Sequence, residues 1–457
     1  MFGRILSDYG MVLVLIALCI LFSLLTIGPQ TPSAETAAEQ LMQQVARDCG
    51  KADTILIVGA RKTRSADLAD LLGPKLKAAG FVNARTVVGL PKDVRPALDD
   101  LVANGQSLAV VVTVKDVASK WRVLELIPET HPSLAGYKLL VPKSYLWPNF
   151  LKRKNLLAIV DRIVVIAVIA IGMTMVIITA GIDLSVGSLI ALSAVIGTVV
   201  MKHLGGLGAP AWVVLVGFLA GTLACGLVGG FAGFIVARFK VAPFITSLSI
   251  MLMARGLAFM ITGGFSIYQV PKALPWLGQG RSLGIPNTVL LLVVVYVVAH
   301  IFMSYTRLGR YIYAVGGNEQ AARLSGVPVK SVLVFVYVVS GLAAGLGGCI
   351  QGSQLNTGTP NMGMMFELYV IAAVVVGGTS LAGGSGRVLG TLIGAFIISV
   401  IQNGMNLLGM ESYTQQVVLG AVILGAVLVD KLRGGELGEL LTKQLGGRLG
   451  KRHERSV

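Results

Sequence analysis

The feature that most constrains this chain is its long apolar runs. Blocks of roughly 17 to 25 residues, read as free of charge, recur along it, and that is the length a helix needs to cross a hydrocarbon core about 30 Å thick. A chain with several such blocks is built for lipid. Composition agrees, with 54% apolar and only 13% charged residues, against about a quarter charged in ordinary soluble domains. Glycine occurs 57 times, which suits helices that approach closely in lipid, where no hydrophobic force drives them together. The formal charge of +16 falls mostly between residues 45 and 154 and after about residue 430, so it reads as membrane topology and not as a nucleic-acid surface. Cys19, Cys49, Cys225 and Cys349 lack ligand spacing, so neither a disulfide frame nor a metal is expected.

The first apolar span is Met11 to Ile27, behind Arg4, followed by a polar Pro/Ser/Ala stretch from Gly28 to Ala38. A secretory signal has a similar pattern, but a retained helix completes the count of spans. From Lys51 to about Val141 the pattern becomes soluble α/β. Thr54 to Gly59 predicts a strand and Ser65 to Ala79 a helix stopped by Gly80. Phe81 to Val88 is strand-like, Pro91 to Ala103 helical, Ser107 to Val114 a buried strand, Val117 to Ile127 helical and Tyr137 to Val141 a strand. After Trp147, spans are expected near 157–180, 184–203, 211–237, 242–263, 286–304, 331–351, 366–382, 387–409 and 414–430. The fold class is therefore an α-helical polytopic membrane protein of about ten transmembrane helices with an inserted extracytoplasmic α/β domain. Its parts are a first helix (1–30), the insert (31–146), a permease core (147–433) and a basic cytoplasmic tail (434–457). Short-loop cations at Arg238, Lys240, Arg307, Arg310, Arg323, Lys330, Arg387, Lys431 and Arg433 fall on one side, and the positive-inside rule makes that side cytoplasmic.

Three polar segments interrupt the apolar pattern. In Gly181-Ile182-Asp183-Leu184-Ser185-Val186-Gly187-Ser188, Asp183, Ser185 and Ser188 are N-cap residue types, and a carboxylate beside two spans is also a candidate gate on a solute path. The second segment, Tyr305 to Lys330, contains Gly316-Gly317-Asn318-Glu319-Gln320-Ala321-Ala322-Arg323-Leu324-Ser325-Gly326. It spells a short helix: Asn318 can cap it, Glu319 suits its positive end, Gly326 can stop it, and Ala321 and Ala322 offer a low-relief face to a partner. The third, Gly377 to Arg387, carries Thr379 and Ser380 between paired spans, the type of interruption that marks internal repeats and a solute path in transporters. Asn403 and Asn406, with Gln402, are polar at helical spacing in the next span, and Glu367 stands at the start of the 366–382 span. Interhelical hydrogen bonding or tight packing accounts equally well for several of these. A phosphate-binding loop, a metal-ligand cluster and a nucleophile elbow are all missing from the sequence, so the chain is not expected to hydrolyse ATP itself.

In Gly172 to Ser188, Tyr305 to Gly326 and Gly377 to Asn406, the sequence resembles the permease subunits of bacterial ribose-, galactose- and xylose-type ABC importers. The resemblance covers about 147 to 433 and the first span. It implies a multi-pass inner-membrane permease that moves a small polar solute, a monosaccharide, by alternating access. It also implies a permease dimer, homo- or heteromeric, a cytoplasmic ABC ATPase, an extracytoplasmic sugar-binding protein and no cofactor of its own, ATP being used by the partner. By that resemblance the segment Gly316 to Gly326 is the coupling helix, and Asp183, Ser185, Ser188, Glu367, Thr379, Ser380, Asn403 and Asn406 are candidates for the path or gate.

The family joins its first two spans by a short segment, whereas about 115 residues intervene here. That insert is expected to dock, replace or cap a binding protein, or equally to act as a scaffold or oligomerisation module. Two other functions stay open at this stage: an ion-coupled carrier with Asp183 and Glu367 as ligands, and a sensor whose outer domain binds ligand.

Overall fold

The computed structural model describes residues 2–433; the basic segment 434–457, read above as a tail, lies outside the described residues. The chain forms two compact units, one of Met1–Thr26 with Phe150–Val457 and one of Ile27–Asn149.

Helix α1 (Phe2–Leu25) opens the first unit. The chain then builds the second unit through β1 (Ile27–Gln30), which pairs antiparallel with β6 (Tyr145–Pro148), so the unit is entered and left through one ribbon. Helix α2 (Ala34–Asp48) follows; Ser33 caps it, accepting from the Thr36 amide at 3.2 Å, and Ala37, Ala38, Leu41 and Val45 face the core. The sequence reading places a polar connector here. Its Ala/Gln/Glu composition leaves only that thin apolar stripe to betray a helix.

A parallel sheet of order β3-β2-β4-β5 follows, made by β2 (Thr54–Ala60), β3 (Ala84–Gly89), β4 (Leu108–Val112) and β5 (Lys138–Leu140). Helices α3 (Arg64–Ala78) and α4 (Val94–Ala103) supply the connections. Ile55, Leu56, Ile57 and Val58 are all buried, as a central parallel strand covered on both faces requires. The helix expected over Val117 to Ile127 is instead three short pieces, α5 (Lys115–Lys120), α6 (Arg122–Glu125) and α7 (Ile127–Thr130), because Trp121 leaves helical geometry to pack on the core.

The first unit resumes with α8 (Arg153–Ile178), α9 (Val186–His203), α10 (Trp212–Phe239), α11 (Pro243–Thr262), the short α12 (Pro275–Gln279) and α13 (Asn287–Tyr305). It closes with α14 (Arg307–Gly317), α15 (Glu319–Leu324), α16 (Val329–Leu355), α17 (Phe366–Val376), α18 (Val388–Leu407) and α19 (Ser412–Arg433). Among the described residues seven helices are long and apolar enough to cross a membrane, and Gly10–Leu25, Phe366–Val376 and Ser412–Leu428 are shorter apolar helices. This is the architecture of a polytopic membrane protein. Helix α8 is buried without a break from Ile163 to Ile178, so it is the unit's central post. Helices α10 and α16 meet backbone to backbone: a Cβ on Gly229 would lie 2.2 Å from the Tyr337 carbonyl, and one on Gly341 2.2 Å from the Cys225 carbonyl. Such contact is how helices associate where lipid competes for apolar side chains.

Three expectations need correction. The apolar blocks are not all free of charge, since α8 carries Asp161 and Arg162 and α11 carries Arg255. The span expected over 366–382 is discontinuous: α17 stops at Val376, and residues 356–365 before it are non-helical, with Asn356 at φ 52° and Met365 at φ 68°. That non-helical piece, mostly turns, runs against α9, where a Cβ at Gly358 would lie 2.7 Å from the Ala194 carbonyl and one at Gly363 2.3 Å from that of Gly187. Finally, the polar stretch after Tyr305 holds a further helix, α14, capped by Thr306, whose hydroxyl accepts from the Gly309 amide at 3.0 Å.

Candidate functional site

The second and third polar segments, far apart in sequence, meet at the C-terminal end of α8 in the first unit. The C-terminal end of α8 presents the Ile178 carbonyl, which accepts from the Gly384 amide at 2.8 Å. Gly316, in the last turn of α14, sits on both: its Cβ would lie 1.7 Å from the Ile178 oxygen and 2.7 Å from the Gly384 nitrogen. Only glycine fits there. The Tyr313 hydroxyl donates to the Gly386 carbonyl at 2.8 Å. One interlocked backbone cluster therefore joins the α8 end, the α14 end and the 377–387 loop. Within that loop Thr379 is buried against Gly386 with an unpartnered hydroxyl, and Ser380 accepts from the Ala382 amide at 3.3 Å.

Helix α15 projects from this cluster. The Asn318 side chain caps it by accepting from the Ala321 amide at 2.9 Å, Arg323 pairs with Glu319 at 3.0 Å, and Gly326 closes it at φ 81°. Ala322 is buried, whereas Glu319, Ala321, Arg323, Ser325 and Gly326 are exposed and Leu324 is 90% exposed. A Cβ on Gly317 would meet nothing within 4 Å, so Gly316 is locked while its neighbour is free.

The second gathering is at the N-terminus of α9. Asp183 is fully buried; one carboxylate oxygen accepts from the Ser185 amide at 3.0 Å and its hydroxyl at 2.6 Å, the other from the Ser340 hydroxyl of α16 at 2.7 Å. The carboxylate thereby closes a turn just before α9, whose N-cap residue Ser185 makes no side-chain cap bond, and ties the α8–α9 turn to α16. Ser188 is buried in the first turn of α9, and a Glu367 carboxylate oxygen lies against Gly187, where a Cβ would come within 2.0 Å. Two acidic side chains from separate segments thus flank one helix N-terminus, the end whose partial positive charge favours them. Asn403 and Asn406 are elsewhere, at the far end of α18 from the 377–387 loop. Asn403 exchanges two 2.9 Å amide bonds with Asn155, and Asn406 accepts from Gln415 at 2.9 Å.

Sequence reasoning missed Arg255. It lies within α11, half-buried, and one guanidinium nitrogen donates to the Pro360 and Met362 carbonyls, both at 2.7 Å. The available signal was a lone arginine inside an apolar run, a rare and costly placement that calls for a reason.

The family described as "Branched-chain amino acid transport system / permease component" matches residues 155–427. The chain is 45% identical over 298 residues to the ribose import permease protein of Escherichia coli (strain K12), covering 64% of this chain and 90% of that protein. To the ribose import permease protein of Haemophilus influenzae it is 42% identical over 328 residues, 70% of this chain and 98% of that one. The L-arabinose transport system permease protein of Escherichia coli (strain K12) is 36% identical over 286 residues, 63% and 85% of the two chains. No solved structure matches.

Proposed function

Since the chain belongs to the branched-chain amino acid transport system / permease component family, we propose that it is the transmembrane permease subunit of an ABC importer that carries a monosaccharide. It is a multi-pass inner-membrane protein without catalytic machinery of its own, and a separate cytoplasmic ATPase supplies the energy. The observation that carries this reading is the backbone cluster at Gly316. A capped, exposed helix is rooted on the end of the buried central helix and on the 377–387 loop, so a push on α15 is delivered to both through close backbone contact at Gly316 and the Tyr313 hydroxyl. Coupling of this type needs a rigid element with two positions.

In this reading the segment Gly316 to Gly326 couples to the ATPase, its exposed residues Gly317, Asn318, Glu319, Ala321, Arg323, Leu324, Ser325 and Gly326 docking while Gly316 and Ala322 root it in the permease. Asp183, Ser185, Ser188 and Glu367 at the α9 N-terminus, with Thr379 and Ser380, form the moving gate, while Asn403 and Asn406 hold α18 to α8 and α19. Besides the seven long helices, this reading takes Gly10–Leu25, residues 356–376 and Ser412–Leu428 as crossings, ten in all, which puts both termini on one side; the short-loop cations make that side cytoplasmic and residues 31–146 outside. Two permeases pair, and an extracytoplasmic sugar-binding protein delivers the solute. Relatives named as import permeases do not favour the ion-coupled carrier or the sensor. The test is ribose or arabinose uptake into proteoliposomes holding the permease, its ATPase and its binding protein. Uptake is expected to vanish when the ATPase is left out, and uptake that persists overturns the proposal.

A further inference from the structure

Helix α11 grips two parts of the proposed gate at once. Near its start the Ser247 hydroxyl donates to the Ile182 carbonyl at 3.2 Å, next to Asp183. Two turns further on, Arg255 holds the carbonyls of Pro360 and Met362. Those carbonyls belong to the non-helical half of the broken span and have no helical partner of their own, a state tolerated at membrane depth only where protein satisfies it. The planar guanidinium can bridge two acceptors from one nitrogen, which a lysine ammonium on a flexible stem does with far less pre-organisation. A charge placed here also needs compensation. Glu367, in the first turn of the helical half of the same span, supplies the opposite charge, and its carboxylate rests on the α9 N-terminus at Gly187.

We propose that Arg255 is a positioning residue of the transport cycle, fixing the broken span 356–376 against α9 so that Glu367 stays seated at Gly187 when the gate moves. The inference rests on the importer reading above. It differs from a packing role in its signature: a loosened span lets ATP be hydrolysed without moving sugar, whereas a packing defect lowers both together.

The experiment uses the full importer in proteoliposomes, with ATP hydrolysis, sugar uptake and permease melting temperature measured side by side. Arg255→Gln is expected to cut maximal uptake at least about tenfold while hydrolysis and the half-saturating level of loaded binding protein stay within about twofold. Arg255→Lys keeps the charge without the fork and is expected to lose about threefold. Glu367→Gln is expected to lose about threefold, and the double variant Arg255→Gln/Glu367→Gln to match Arg255→Gln alone, because residues acting as one unit are not additive. Wild-type uptake in Arg255→Gln, a double loss equal to the product of the single losses, or a parallel fall of hydrolysis, uptake and melting temperature each overturns the proposal. If Arg255→Gln does not insert, full uptake in both Arg255→Lys and Glu367→Gln overturns it. Wild-type uptake without the ATPase overturns the importer reading instead, whatever the variants do.

Discussion

The two units of this chain solve the packing problem in opposite ways. In the α/β unit the large side chains go inside: Leu68, Leu72, Leu76, Leu98 and Leu101 are each no more than 1% exposed. In the helical unit α10 turns its large side chains outward, with Leu215, Leu219, Leu223 and Leu227 between 51% and 77% exposed, while its contacts with α16 are glycine on backbone. Water drives the first arrangement at about 25 cal/mol per Å² of buried apolar area. Lipid offers no such gain, so the second relies on close approach and hydrogen bonds. The same substitution chemistry should therefore have different consequences in the two units.

The largest expected effect is in the helical unit. Gly316→Val inserts side-chain carbon into the Ile178 carbonyl, and sugar uptake by the assembled importer is expected to fall at least tenfold, as overpacking against backbone cannot relax as a flexible side chain would. Near-normal uptake would show that the backbone cluster yields. The counterpart in the α/β unit is Leu72→Ala, expected to cost about 2–5 kcal/mol through the cavity it leaves. Proteolysis and thermal melting of residues 27–149 should register that loss while uptake stays within about twofold, because the coupling route lies in the other unit.

A sharper version removes the α/β unit. The Thr26 hydroxyl accepts from the Phe150 amide at 3.1 Å and the Phe22 and Phe150 rings stack at 6.2 Å, so the helical unit is already closed where the chain leaves and returns. Deleting Ala34 to Pro142 leaves the β1–β6 ribbon joined by a short hairpin loop. The shortened chain is expected to insert in the membrane, as measured by its resistance to alkaline extraction; loss of insertion would make the units interdependent.

The smallest effect concerns thiols. Burial pushes the Cys49 thiol above its ordinary value, Asp53 and Asp48 raise it further, and Lys138 partly offsets them. Less thiolate is then present at neutral pH, so maleimide labelling of Cys49 should be slow and rise with pH, and Asp53→Asn should speed it about twofold by removing one raising charge. A membrane-impermeant reagent on intact cells should reach Cys49 and spare Cys225 and Cys349, which are buried in the helical unit. Failure to label Cys49 in intact cells, with labelling restored in lysed ones, would reverse the orientation.

Much of this was legible in the residues themselves. The apolar run Thr54 to Gly59 emerges as β2, and the Gly/Asn/Glu/Gly punctuation of 316–326 emerges as capped α15, because cap and turn chemistry is local. Helix α2 was hidden because four small or medium apolar residues are a weak stripe. The broken span is hidden because hydropathy over 366–382 does not register where a helix stops, and the non-helical lead at 356–365 packs against α9 in a way that no local pattern encodes. Arg255 is hidden because the mean hydropathy of its run outweighs a single charge. Nothing local could show that Gly316, Ile178 and Gly384 meet, since their meeting depends on tertiary packing.

The central claim is that α15 couples this permease to an ATPase, and one variant tests it most directly. A Cβ on Gly317 would meet nothing within 4 Å, and Arg323 is exposed and paired with Glu319, so Gly317→Trp/Arg323→Glu alters the docking face while an exposed ion pair of this kind holds only a few tenths of a kcal/mol. With membrane abundance unchanged, uptake is expected to fall at least about tenfold while the ATPase still hydrolyses ATP. Uptake and hydrolysis both at wild-type levels in that variant would contradict the coupling role.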